Sequence, residues 1–117
     1  MELETANMIE DTVQKIEARI NGSRSINPER KKELLQLLGT LKSEINDLSR
    51  TNADDAQSIA KFADLSAHEA TREPQNPRLL DLSLQGLSSS VDELEKSHPR
   101  LVQIVNSISN TLANLGI

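Results

Sequence analysis

From Leu80 to Leu115 the chain places a residue at alternating steps of four and three: Leu80, Leu84, Leu87, Val91, Leu94, His98, Leu101, Val105, Ile108, Leu112 and Leu115. All but His98 are aliphatic. Residues three and four apart share one face of an α-helix, and alternating the two steps gives the 3.5-residue period of packed helices. A seam this long has to be covered by other helices. Its flanks are Asp81, Ser83, Ser88, Ser90, Glu95, Ser97, Val102, Ile104, Ser109 and Thr111, whereas a free two-stranded coiled coil usually carries paired Glu and Lys there. Small and partly apolar flanks predict a helix with more than one neighbour and an apolar face broadest around Val102 and Ile104. The expected fold is all-α, an antiparallel bundle of four to five helices forming a single domain over residues 1–117.

Pro99 interrupts the seam without shifting its phase. Inside a helix, proline removes a hydrogen bond and clashes with the preceding turn at a cost of ~3 kcal/mol or more. Two readings fit: a long last helix kinked at Pro99, or a tight reversal in which Ser97 caps a fifth helix starting at His98. So few residues are spare for a loop that the kinked helix is the expectation.

Ahead of the seam, the pattern predicts a first helix from about Glu2 to Ile20 with Ala6, Ile9, Val13, Ile16 and Ile20 in a narrow stripe. Asn21-Gly22 should close it through a left-handed glycine. Asn27-Pro28-Glu29 reads as a cap, a first-position proline and a charge that suits the helix dipole. The second helix, about Pro28 to Ser49, carries Leu34, Leu38, Leu41, Ile45 and Leu48, broadened by Leu35 and Leu37. Asn52 is a cap for a third helix from Ala53 to about Arg72, with Asp54 and Asp55 in its first turn.

The third helix differs in character. Its heptad positions are Ala56, Ala60, Ala63, Ala67 and Ala70, and small residues let helix axes approach closely. Ile59 lies beside this stripe, and Phe62 and Leu65 on its flank form either a second buried edge or an exposed contact patch. Asp64 and His68, four apart, and Glu69 and Arg72, three apart, are placed to meet on the outside of the helix. A polar loop follows, and Asn76-Pro77 repeats the cap and proline of Asn27-Pro28. Leu79 and Leu82 widen the apolar opening of the fourth helix, while Gly86 and Ser88 to Ser90 lower its propensity so that packing must hold it.

The run Glu93-Leu94-Glu95-Lys96-Ser97-His98-Pro99-Arg100-Leu101, with Ile108, Leu112 and the terminal Ala113-Asn114-Leu115-Gly116-Ile117, resembles a family of short bacterial proteins known as domain of unknown function 4404. The leucine-rich helix from Asn27 to Leu48 shares in the resemblance. Lys61-Phe62-Ala63 and His68-Glu69-Ala70-Thr71-Arg72 are similar to its longer members. The resemblance implies a small all-helical protein with no assigned activity and no catalytic residues to carry over.

Composition narrows the function. The chain has 117 residues, 36% of them apolar, with Phe62 as its one aromatic. Even with four Gly added this falls below the roughly 45–50% of ordinary globular chains, which suits a slender bundle or a protomer that completes its burial against a second copy. A net charge of -5 speaks against nucleic acid as a partner. Arg24, Arg30, Lys31 and Lys32 form a local basic cluster, read as a solvated face or as docking on the acidic first helix (Glu2, Glu4, Glu10, Asp11), with an anion site as the alternative. There is no cysteine, no long apolar run and no basic-then-apolar leader, so the expectation is a soluble cytoplasmic protein that does not engage membranes.

Chemistry is sparse. Glu95 and His98 have the Glu-x-x-His spacing of di-iron bundles, but such sites need two pairs and further inward carboxylates. The expected role of His98 is a half-buried hydrogen bond at the bend or a partner contact. Ser97 and His98, as adjacent helical residues, are expected to point apart and form no nucleophile-base pair. No phosphate loop, zinc spacing or dinucleotide fingerprint occurs. The reading is a non-enzymatic protein-protein interaction or scaffold module that self-associates as a dimer, without cofactor or metal. Phe62, Leu65, His68 and His98 are its candidate interaction residues. A ligand- or metal-binding bundle using Glu95 and His98, with His68, is the alternative.

Overall fold

Three of the five helices begin on the same device, an asparagine whose side-chain oxygen accepts a hydrogen bond from the N–H three residues on. Asn27 receives Arg30 at 2.9 Å, Asn52 receives Asp55 at 3.2 Å and Asn76 receives Leu79 at 3.1 Å. Each satisfies a donor that the helix start leaves without an internal partner. In the computed structural model, which describes residues 2–115 and side chains from residue 4 onward, the helices are α1 (Glu2–Gly22), α2 (Pro28–Ser49), α3 (Ala53–Thr71), α4 (Pro77–Val91) and α5 (Pro99–Leu115), with a 3-10 turn at Asp92–Leu94. The Glu2 side chain and the terminal Gly116-Ile117 lie outside the described residues.

α1 runs through Gly22, and no described glycine has a positive φ. The helix therefore closes with right-handed backbone and a bond from Ser23 N–H to the Ile20 carbonyl, not with the left-handed glycine expected from Asn21-Gly22.

The helices form two rows. α1, α3 and α4 lie side by side; α2 fills the groove between α1 and α3, and α5 the groove between α3 and α4, next to α2. α3 thus touches all four others. Its alanine stripe permits this, since Ala56, Ala60, Ala63, Ala67 and Ala70 are all buried, together with Ile59. Substituting larger side chains there would push the neighbouring axes apart.

The bundle measures 38 × 24 × 21 Å, about one long helix by two rows. That dimension rules out a near-continuous last helix, because residues 77–115 as one helix would span roughly 58 Å at 1.5 Å per residue. The kinked helix expected at Pro99 is therefore corrected to two helices. α4 ends at Val91, Asp92–Leu94 tighten into the 3-10 turn, and the chain reverses so that α5 packs back on α4. Pro99 sits at the first position of α5, where its absent N–H costs nothing, and Val102 N–H bonds to the His98 carbonyl. The seam keeps its phase because both arms of this hairpin face the same core.

Leu80, Leu87, Val91, Leu94, Leu101, Val105, Ile108 and Leu112 are all buried within one chain. At roughly 1.5–3 kcal/mol for each large aliphatic side chain removed from water, this stripe is a main source of stability. Its burial is complete within one chain. Leu79 and Leu82 do not join the core; they face outward from α4.

Candidate functional site

Three features lie beyond the core, two on the outer faces of α1, α3 and α4 and one at the turn between α4 and α5. The first joins α1 to α3. These helices run in the same direction, since Gln57 Nε2 reaches Thr5 Oγ1 near their starts and Arg19 reaches Asp64 and His68 near their ends. Arg19 Nε donates to Asp64 Oδ1 at 3.0 Å, and its Nη1 lies 3.1 Å from His68 Nδ1. Guanidinium has no acceptor, so Nδ1 is the acceptor and the neutral His68 ring carries its proton on Nε2. Asp64 and His68 are thus brought together through an arginine 45 and 49 residues away in sequence, not by the direct contact their spacing suggested. Sequence reading missed Arg19 because nothing local marks such a distant pairing.

Above this clamp is a groove of about 400 Å³ whose walls include Met8, Lys15, Lys61 and Leu65. Thr12 lies in it too, its hydroxyl donating to the Met8 sulfur at 3.4 Å.

The second feature is the α3/α4 face. Leu65 and Phe62 on α3 are 44% and 36% exposed, and Leu79 and Leu82 on α4 are 40% and 49% exposed. Of the two readings left open for Phe62 and Leu65, the exposed patch is what the structure has. Phe62 lies across Gly86, where an added Cβ would collide with its ring, so the glycine gives the aromatic a seat on α4. Beneath this face Glu69 is buried, not on the outside of the helix as expected. Its carboxylate is paired with Arg72 Nη1 at 3.1 Å, with His68 Nε2 at 4.0 Å. The arginine compensates a charge that burial alone would penalise.

The third feature is the α4–α5 turn. His98 is half-buried, its N–H bonded to the Leu94 carbonyl at 2.7 Å and its Nδ1 3.0 Å from Ser97 Oγ. The expectation that Ser97 and His98 point apart is corrected: that rule applies to helical neighbours, and these two residues precede α5. Glu95 is exposed in the same turn. Among the described residues no group of three or more His, Cys, Asp or Glu side chains is placed to hold a metal ion. His98 is on a separate turn from the groove that holds His68, so the four candidate residues do not converge on one site.

The basic cluster does not dock on the acidic residues of α1: Lys31 Nζ donates to the Asn21 carbonyl at 3.0 Å, at the carboxy-terminal end of α1, and Glu10 pairs instead with Lys42, further along α2.

Compared with known families, residues 34–117 match the model described as Domain of unknown function (DUF4404). The chain belongs to this family. The match runs from within α2 to the end of α5 and includes the reversal at Ser97-His98-Pro99, as the resemblance of those residues had implied. The comparison with curated proteins found no match, and neither did the comparison with solved structures. In this DUF4404 protein no described helix is long and apolar enough to cross a membrane.

Proposed function

We propose that this DUF4404 protein is a non-catalytic interaction module of the cytoplasm that self-associates as a dimer through the outer face of α3 and α4. One observation carries the reading: the exposed large apolar side chains of the described residues, Phe62, Leu65, Leu79 and Leu82, all come from these two adjacent helices. Clustered apolar exposure of this kind marks contact surfaces, whereas single exposed leucines do not.

The charges beside the patch favour a second copy as partner. α3 and α4 are antiparallel neighbours, so Asp54 and Asp55 at the start of α3 lie at the same end as Asp92 and Glu93 after α4. At the other end Arg72 is taken up by Glu69 while Arg78 has no ion-pair partner among the described residues, and Glu73 and Asp81 lie nearby in the chain. A two-fold axis across the patch would set the acidic end of each copy against Arg78 of the other. Such an interface is self-complementary, as closed symmetric dimers require. To persist it must cover on the order of 800 Å² on each copy, so the helical surroundings of the four side chains must take part.

Sedimentation equilibrium at micromolar concentration tests this. The wild type should be dimeric and Leu82→Asp monomeric with unchanged helicity, because Leu82 is the most exposed of the four. Arg78→Glu should weaken the dimer, and adding Asp92→Arg should restore part of the loss. A wild type that stays monomeric across the micromolar range rejects the proposal.

A further inference from the structure

We propose that the groove between α1 and α3 is a binding site for a small organic phosphate, a phosphate monoester with a short apolar body. Its charge is the starting observation. In a chain of net charge -5, Lys15 and Lys61 line one groove from opposite helices, and neither has an ion-pair partner among the described residues. Both are exposed, and the one carboxylate among the groove's lining residues, Asp64, is already matched by Arg19. A dianion between the two lysines would be attracted by both.

Arg19 is already matched by Asp64 and His68 Nδ1, and His68 Nε2 lies 4.0 Å from the buried Glu69 carboxylate, so neither ring nitrogen is offered to the ligand. The neutral hydroxyl of the groove points the same way as its lysines. The Thr12 hydroxyl donates to a thioether, a weak acceptor, and a phosphate oxygen is a far better one. Two ammonium groups and a hydroxyl match the several acceptor oxygens of a tetrahedral phosphate better than the two of one carboxylate. The groove, about 400 Å³, is larger than phosphate alone, and Met8 and Leu65 supply apolar wall for the rest of the ligand.

The test is a titration of the full chain, followed by amide NMR, with inorganic phosphate and with phenyl phosphate, against sodium chloride at matched ionic strength. Saturable shifts should centre on residues 8–19 and 61–68, with phenyl phosphate binding more tightly than inorganic phosphate. Lys15→Gln with Lys61→Gln, both exposed positions, should weaken phenyl phosphate by about tenfold or more, a change of ~1.4 kcal/mol in binding. Lys31→Gln with Lys32→Gln should leave it nearly unchanged. Shifts that do not saturate, that centre on the first turn of α2, or that survive the Lys15/Lys61 double substitution overturn the site. Leu65 belongs to both the groove and the apolar patch and Lys61 is on α3, so sedimentation of the Lys15/Lys61 double variant keeps the two readings apart: loss of phenyl phosphate with the association state unchanged assigns the effect to the groove.

Discussion

Helices α1 and α5 both pack on α2 and α3, yet they are held there by different forces. α1 buries a stripe one side chain wide, Ile9, Val13, Ile16 and Ile20, and adds polar bridges at its edges: Glu10 to Lys42, Arg19 to Asp64 and His68, and Thr5 to Gln57. α5 buries Leu101, Val105, Ile108 and Leu112, half-buries Val102, Ile104 and Leu115, and has α4 as a third neighbour. Among the described residues its one side-chain hydrogen bond to the rest of the chain comes from the α3–α4 loop, from Gln75 Nε2 to the Leu115 carbonyl at 3.3 Å. The number of neighbours sets the width of the apolar face, and where the face is narrow, polar side chains lie close enough to the seam to bridge it. The family match takes in all of α5 and none of α1.

The strongest way to break this contrast is to truncate α5. Leu101 is completely buried, so Leu101→Ala should cost ~2–5 kcal/mol, the transfer term plus the cavity left behind. Because the lost interaction is apolar, the difference from wild type in urea unfolding should change little between low and high salt. A loss below about 1 kcal/mol would mean that the site collapses freely, and the description of α5 as a packed wedge would be wrong.

Much of this architecture was legible in the sequence, for reasons that can be named. Asn27, Asn52 and Asn76 marked their helix starts because capping is a local contest over a few N–H groups. The alanine stripe of α3 and the breadth of α5 near Val102 and Ile104 were legible because periodicity reports how many sides of a helix are covered. The turn at His98-Pro99 was misread because the heptad phase is the same for a straight helix and for a hairpin whose arms face one core. Only the tertiary dimension separates them. The same gap explains the site residues. Phe62 could not be placed until Gly86 was seen opposite it, and the Ser97–His98 contact depended on knowing that the helix had not yet begun. Arg19 was invisible as a partner of Asp64 and His68 because the parallel alignment of α1 and α3 is a property of the packed rows.

Removing that arginine sharpens the comparison from the other side. Arg19→Met keeps much of the side-chain bulk but deletes both polar contacts of a pair that is one-third and one-fifth exposed. The loss should be about 1 kcal/mol or less, as for partly exposed ion pairs, and should shrink as salt is added. The His68 ring nitrogens provide an independent readout, since Nδ1 loses the donor that fixes the tautomer and its NMR signal should shift. A salt-insensitive loss of several kcal/mol would place Arg19 in the core's energetics and erase the distinction between the two helices.

The smallest effect belongs to Glu10, at the other edge of α1. The hydrogen bond from the Lys42 ammonium, with the attraction of its charge and a further hydrogen bond from Gln14, holds the Glu10 carboxyl below the usual glutamate range. A group whose pKa is lowered by folding favours the folded state fully at pH above its unfolded value, and loses that contribution as pH falls through the folded one. Wild type should therefore be slightly more stable than Glu10→Gln at neutral pH, and the gap should close as the pH is lowered through the carboxylate range. Urea midpoints measured for both proteins along that range provide the check. A gap that stays constant into acid would mean that Glu10 acts through packing, and one that opens only in acid would reverse the sign of its coupling to Lys42.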